Sequence, residues 1–348
     1  MMKYTIRYVS LLAGMLTVFS SCEHKDLCFD HDAHAPKSDV HIKAVYEKEW
    51  EHTCEGGPDW EQYPAWESRF GMDYHELCPD APDGLRIQVY NEDGTNNVLN
   101  VAPEGDIVRM RPGEHSLLLY NNDTEYIVFD DMNSFASAKA TTRTRTRASY
   151  GGNPYMENTV ENTVNAPDML YGNYMENYTA ERKTETDELP VTMHPLVFTY
   201  LVRYEFSHGL EYVALARGAL AGMAESVMLN TGRTSAEAAT ILFDCTLQPY
   251  GAQACVRSFG VPDYPNALYK TRAATHTYAL NLEVRLNNGQ MKTFDFDVTD
   301  QVAAQPEGGV IVVKDIEITD EEGQAGGSGF DVTVDGWGEF EDIELPLH

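Results

Sequence analysis

Apolar and polar residues alternate along Leu85-Arg86-Ile87-Gln88-Val89-Tyr90, and the turn-forming Asn91-Glu92-Asp93-Gly94 follows. This pattern predicts a strand with one buried face that leads into a hairpin. Residues 116–121 and 125–129 flank Asn121-Asn122-Asp123-Thr124 in the same fashion. Asn287-Asn288-Gly289 separates two alternating segments, 277–286 and 290–298, and its Asn-Gly pair predicts a two-residue hairpin loop with positive φ at both central positions. Further strands are expected over 197–206, 212–221, 310–318 and 330–334. Helical periodicity is scarce: only 235–242, around Ala-Glu-Ala-Ala, could hold a turn or two of helix, and it could equally precede a strand at 240–244. Many short strands at regular turn spacing make this an all-β chain of β-sandwich architecture.

The 348 residues are enough for two domains, and 43% hydrophobic and 11% aromatic content can build packed cores. Residues 39–150 read as an N-terminal β domain and 191–320 as a C-terminal one. Residues 151–190, rich in Asn, Tyr, Glu and Pro, lack strand-length apolar patterning and read as a long loop or linker. After 321 come a Gly326-Gly327-Ser328-Gly329 spacer and a last strand with an acidic tail. The strand at 330–334 fits either its own sandwich or a neighbouring molecule.

The N-terminus points to export. Lys3 and Arg7, an apolar run from Tyr8 to Phe19 and Ser20-Ser21-Cys22 have the parts of a secretory signal, too short to span a bilayer. The sequence Phe19-Ser20-Ser21-Cys22 resembles a bacterial lipobox, although Phe departs from the usual Leu. By that resemblance residues 1–21 are removed, Cys22 carries several acyl chains that hold the protein in membrane lipid, and 22–38 is a tether. Removal of 1–21 leaves 23 basic and 55 acidic residues, a formal charge of −32 against −30 for the whole chain. Such a balance excludes nucleic-acid binding, which needs a basic surface, and favours solubility on an outward-facing protein.

Candidate chemistry is sparse. Cys54 with Cys78, and Cys245 with Cys255, are natural local disulfide pairs for an exported protein. Cys28 is left over, near His24, His31, His34 and His41, in a spacing that matches no closed zinc site. Three of the four tryptophans, Trp50, Trp60 and Trp66, fall in the elaborated loop 47–82. They could stack on sugar rings or form a satellite core beneath a long loop. Thr141-Thr142-Arg143-Thr144-Arg145-Thr146-Arg147 alternates strictly; it fits either an exposed edge strand protected by charge or a cleavage site for an arginine-directed protease at Arg143, Arg145 or Arg147. There is no phosphate loop, nucleophile elbow, zinc-protease motif or paired CxxC, so no enzyme activity, cofactor or metal is expected.

Two sets of segments carry a family resemblance. Gly84-Leu85-Arg86-Ile87-Gln88-Val89-Tyr90 and the run from Arg111-Pro112-Gly113 through Asn121-Asn122-Asp123-Thr124-Glu125 form the first. Gly218-Ala219-Leu220-Ala221-Gly222-Met223-Ala224, Arg257-Ser258-Phe259-Gly260 and Phe296-Asp297-Val298-Thr299-Asp300-Gln301-Val302 form the second. Over most of residues 39–318 the chain resembles the fimbrillin-like surface lipoproteins of Bacteroidetes-type bacteria, many known only as a domain of unknown function. The resemblance implies two tandem transthyretin-like β-sandwiches at the outer membrane or cell surface. It also implies a structural or adhesive role among pilus-like subunits, by protein contacts; the clustered aromatics leave a host protein or glycan as a further candidate partner. In polymerising relatives a protease removes the lipidated segment and subunits join by strand donation.

Overall fold

The computed structural model describes residues 38–52, 57–146, 162–265 and 276–324. Strand dominates, and the strands form two large sheets and one small one. The first large sheet runs in the order β3 (Asn96–Val101), β2 (Leu85–Asn91), β5 (Gly113–Asn121), β9 (Tyr171–Ala180), β10 (Asp187–Pro195), β1 (Asp39–Tyr46) and β4 (Ile107–Arg109). All pairs are antiparallel except β1 with β10, which run parallel over seven residue pairs. The second runs β17 (Met291–Asp297), β16 (Ala279–Leu286), β12 (Val213–Ala224), β14 (Ala238–Gln248), β15 (Gly251–Ser258), β11 (Phe198–His208) and β18 (Gly309–Glu317), with β8 (Thr163–Asn165) beside β14. The small sheet sets β7 (Lys139–Thr142) between β6 (Ile127–Asp130) and β13 (Ser226–Met228).

Each large sheet folds over so that every strand feeds one core, which makes two tandem sandwiches of the class the alternation predicts. In the first, Leu85, Ile87 and Val89 meet Leu117, Leu119, Val40, Ile42 and Val191. In the second, alternate residues Tyr200, Val202 and Tyr204 of β11 pack with Leu280, Leu282 and Val284 of β16 and with Ile311 and Val313 of β18. A third cluster joins the two: Leu118 and Tyr120, on the outer face of β5, pack with Ala140, Val227, Leu229 and Phe259. The small sheet supplies this interface, since β6 and β7 come from the first half of the chain and β13 from the second.

The expected linker 151–190 is corrected from residue 163 on, and residues 151–161 lie outside the described residues. Residues 171–180 and 187–195 are strands of the first sheet, and 163–165 pairs with the second. A register shift between His115 and Leu117 offsets the pairing of β5 with β9, so the inward residues Tyr171, Met175 and Tyr178 break simple alternation. Nor do 116–121 and 125–129 form a hairpin. The Asp168 carboxylate accepts the backbone N–H groups of Glu125, Tyr126 and Ile127 at 2.5–3.3 Å, and β6 departs to the small sheet. The segment 235–242 leads into β14, without a helix. The hairpin at 287–289 is present, but its loop has three residues, closed by Leu286 N–H donating to Gln290 O at 2.8 Å. Among them only Gly289 has positive φ, at 84°, as in a type I turn followed by a left-handed residue.

Candidate functional site

Between β1 and β2 the chain leaves the first sandwich and lies across the outside of the second. Along β11 the even residues face the core of the second sandwich, so Thr199, Leu201, Arg203 and Glu205 point the other way. The described residues of 47–82 form a strap that covers that face. Its helix Trp66–Phe70 is barely more than one turn, closed by Gly71 in the left-handed region at φ 71°. A 3-10 turn, Tyr74–Leu77, follows with a capping box between Asp73 and Glu76.

Trp50, Trp66, Phe70 and Leu77 are buried against Leu201 and Val310. The Trp66 and Phe70 rings lie 4.4 Å apart, and Trp50 sits 5.4 Å from Tyr74 in an edge arrangement. Trp60 is half-buried, and its indole N–H donates to Gln305 Oε1 at 2.6 Å. Gln305 also accepts from Val310 N–H at 2.8 Å and donates to Val310 O at 3.0 Å. One side chain therefore ties the strap to β18. Arg203, 4% exposed, donates to Arg69 O and to Glu205 Oε1, and its guanidinium lies 3.3 Å over the Tyr250 ring. Arg69 of the strap completes an ion pair with Glu205 at 2.6 Å.

Glu51 introduces a charge into this apolar layer. It is 6% exposed, and its Oε1 accepts two long bonds, from Trp60 N–H at 3.3 Å and from Tyr74 O–H at 3.4 Å. Burial pushes its carboxyl up to about 7, and nearby Asp59 and Glu61 add to that while the two donors oppose it. Glu307, whose backbone carbonyl accepts His52 N–H at 3.0 Å, is raised by burial as well, with His52 opposing. Burial also raises the Tyr74 hydroxyl and the Cys78 thiol.

The tryptophans thus stand in one cluster, and the sugar-stacking role is corrected for Trp50 and Trp66: at 1% and 7% exposure neither ring offers a face to a ligand. The Cys245–Cys255 pair is corrected too. Register Thr246 to Gln253 sets Cys245 opposite Ala254, so Cys255 is one residue out of step and on the other face. Cys245 packs on the core of the second sandwich, Cys255 is exposed, and both are free thiols. Cys78 is likewise free, and Cys54 lies outside the described residues, as does Cys22.

The start of the Thr-Arg run is no sheet edge, because Thr141 and Thr142 belong to β7, which is flanked on both sides. Past it, Arg143 is exposed, whereas Arg145 is half-buried, donates to Leu242 O at 2.9 Å and pairs with Asp244 at 3.6 Å. Arg147 lies outside the described residues. Sequence reading missed Gln305, Asp168 and the fully buried pair of Arg217 with Glu283, which face each other across β12 and β16. In alternating strands Arg217 and Glu283 look like ordinary outward positions, and Asp168 and Gln305 look like ordinary loop residues.

No helix among the described residues is long and apolar enough to cross a membrane. The chain is 22% identical over 316 residues to the curated "Putative fimbrium anchoring subunit Fim4B" of Bacteroides ovatus, covering 83% of this chain and 92% of that protein. A crystal structure of "a putative adhesin" from Bacteroides ovatus is 21% identical, with a TM-score of 0.57 over 82% of this chain and 93% of the other, a likeness of fold. The fimbrial anchor protein Mfa2 from Porphyromonas gingivalis is 10% identical over 79% of this chain and 90% of its own, with a TM-score of 0.41. A family model described as a domain of unknown function (DUF5119) matches residues 61–244, more than half of the chain, and the chain belongs to that family.

Proposed function

We propose that this chain is a cell-surface component of a fimbrium, lipid-held through Cys22, that works by protein contacts as an anchoring or accessory subunit and performs no catalysis. The observation that carries the reading is the similarity to a protein named for fimbrium anchoring along 83% of this chain and 92% of that protein. The architecture is consistent with it. Two sandwiches clamped by a hydrophobic interface and an aromatic strap make a stiff unit, which a subunit that transmits load requires. The surrounding charge of −30 keeps such a unit soluble outside the cell. In this reading the partners are membrane lipid and other fimbrial subunits.

The test is a Cys22→Ala replacement in the producing bacterium, with labelled palmitate incorporation and the division of fimbriae between cells and medium as readouts. The expected result is loss of label and a shift of fimbriae into the medium. Fimbriae that stay with the cells at the normal level in both the replacement and a full deletion strain would overturn the anchoring role. Label retained on the Cys22→Ala protein would overturn the lipid site.

A further inference from the structure

One sheet face of the second sandwich is buried without belonging to a core. Gly218 of β12 points inward, where a Cβ would collide with the Phe243 and Tyr204 side chains, so Arg217, Ala219 and Ala221 lie on the outer side of the sheet. Register sets Leu242 of β14 beside Ala219, Glu283 of β16 beside Arg217, and Ala279 beside Ala221. All six are 0–7% exposed. An arginine and a glutamate reach such values only beneath other atoms. Yet Ala219, Ala221, Leu242 and Ala279 join none of the hydrophobic clusters that the described residues form. What covers them has to come from elsewhere in the chain or from a partner.

The place where the described chain ends points to the occupant. The short helix Asp320–Gln324 is fastened at the end of the sandwich where β12 begins and β16 turns into β17. Glu322 accepts from Lys292 Nζ at 2.7 Å, and Asn288 Nδ2 donates to Glu322 O at 2.8 Å. Gly323 sits on the Tyr212 ring with no room for a Cβ, and Gln324 Nε2 donates to Tyr212 Oη at 3.2 Å. From Tyr212 to Arg217 is five residues, about 16 Å of strand. The six steps from Gln324 to Phe330, through the spacer Ala325-Gly326-Gly327-Ser328-Gly329, span up to about 20 Å. Phe330-Asp331-Val332-Thr333-Val334 then alternates with the period of two that Arg217, Ala219 and Ala221 present.

We propose that residues 325–348 fold back over the outer face of β12, β14 and β16, with the spacer rounding the end of the sandwich and Phe330, Val332 and Val334 covering Arg217, Ala219 and Ala221 in turn. Asp331, Thr333 and Asp335 then face water, so the cover keeps its own charges solvated while its apolar side shields the Arg217–Glu283 pair. Segments 147–161 and 266–275 also lie outside the described residues, but neither alternates: the first carries two glycines and a proline, the second Lys270 and Arg272. The residues before Ser38 lead into the first sandwich. This is packing of side chains on a sheet face, with no backbone pairing to an edge, and a tail held in this way is not free for a neighbouring molecule. The inference stands apart from the anchoring role.

The test uses the full chain. Ala219→Cys alone reports the cover through its rate of iodoacetamide labelling, with the exposed Cys255 as the reference for an open site. Ala219→Cys together with Val332→Cys, oxidised with diamide and mapped by mass spectrometry, reports which segment lies above. The expected results are a bridge between positions 219 and 332 within one chain, shown with mixed nitrogen-15-labelled and unlabelled protein, and slow labelling at 219 that rises at least tenfold on Val332→Asp or on ending the chain at Gln324. A thiol at 219 that reacts as fast as Cys255 in the full chain overturns the proposal. One that stays protected in both altered chains assigns the cover to another segment and overturns it as well. So does the absence of the bridge, or a bridge found only between differently labelled chains, which would place the tail on a neighbour.

Discussion

Replacing Glu51 by Gln should remove a pH dependence from the stability of the strap. The carboxyl titrates near 7 in the folded protein and near its ordinary 4.5 in the unfolded chain. Its folded value is raised, so the folded state favours the protonated form. Stability is fully present below about 4.5 and is lost as pH rises through about 7, where folding must hold a buried charge. A difference of about 2.5 pH units corresponds to roughly 3 kcal/mol at full ionisation, of which about 2 kcal/mol falls between pH 5 and pH 8. Gln keeps the acceptor for Trp60 N–H and Tyr74 O–H and carries no charge. Urea unfolding followed by tryptophan emission suits the question, because three of the four tryptophans sit in the strap. The wild type should lose about 2 kcal/mol more than Glu51→Gln from pH 5 to pH 8. Glu307 shifts in the same direction and is common to both proteins, so it cancels in the comparison. Parallel pH profiles for the two proteins would refute the reasoning.

Arg217→Ala should destabilise the second sandwich by about 3–5 kcal/mol, since it removes the guanidinium paired with the buried Glu283 carboxylate, while Arg217→Met with Glu283→Leu should recover most of that loss in thermal unfolding. Asp168→Ala releases three backbone N–H groups and should cost about 2–3 kcal/mol, with increased amide exchange at Glu125, Tyr126 and Ile127 as the local readout. Iodoacetamide should label Cys255 well before Cys245 in the folded protein, and Cys255→Ser should move stability by less than about 0.5 kcal/mol; a mass-mapped Cys245–Cys255 bridge would contradict the register.

The sandwiches were legible where core residues alternate with polar ones, as in β2 and the β16–β17 hairpin, although outward residues such as Gln88 and Glu283 are themselves buried. Alternation fails where both faces are apolar. β5 buries Leu117 and Leu119 on one side and Leu118 and Tyr120 on the other, so its apolar run announces burial without naming the second partner. It fails again at β9, where a register shift interrupts the period. The strap was visible as a concentration of Trp and Tyr, but what it covers was not, because Leu201 and Val310 lie some 130 residues or more further along the chain. Polar residues that act by position were hidden most completely. Nothing in Ala-Ala-Gln-Pro-Glu distinguishes Gln305 from a solvated glutamine until Trp60 is seen to donate to it.

The parallel pairing of β1 with β10 determines how this protein takes a pull. A force applied at Ser38 runs along β1, so the ladder from Val40–Asp187 to Tyr46–Met193 is loaded in shear and its bonds must yield together. Peeling, which breaks bonds one at a time, is denied at this end of the molecule. Load that passes β1 arrives four residues later at Trp50, fixed against the second sandwich, so a second hold engages when the ladder yields.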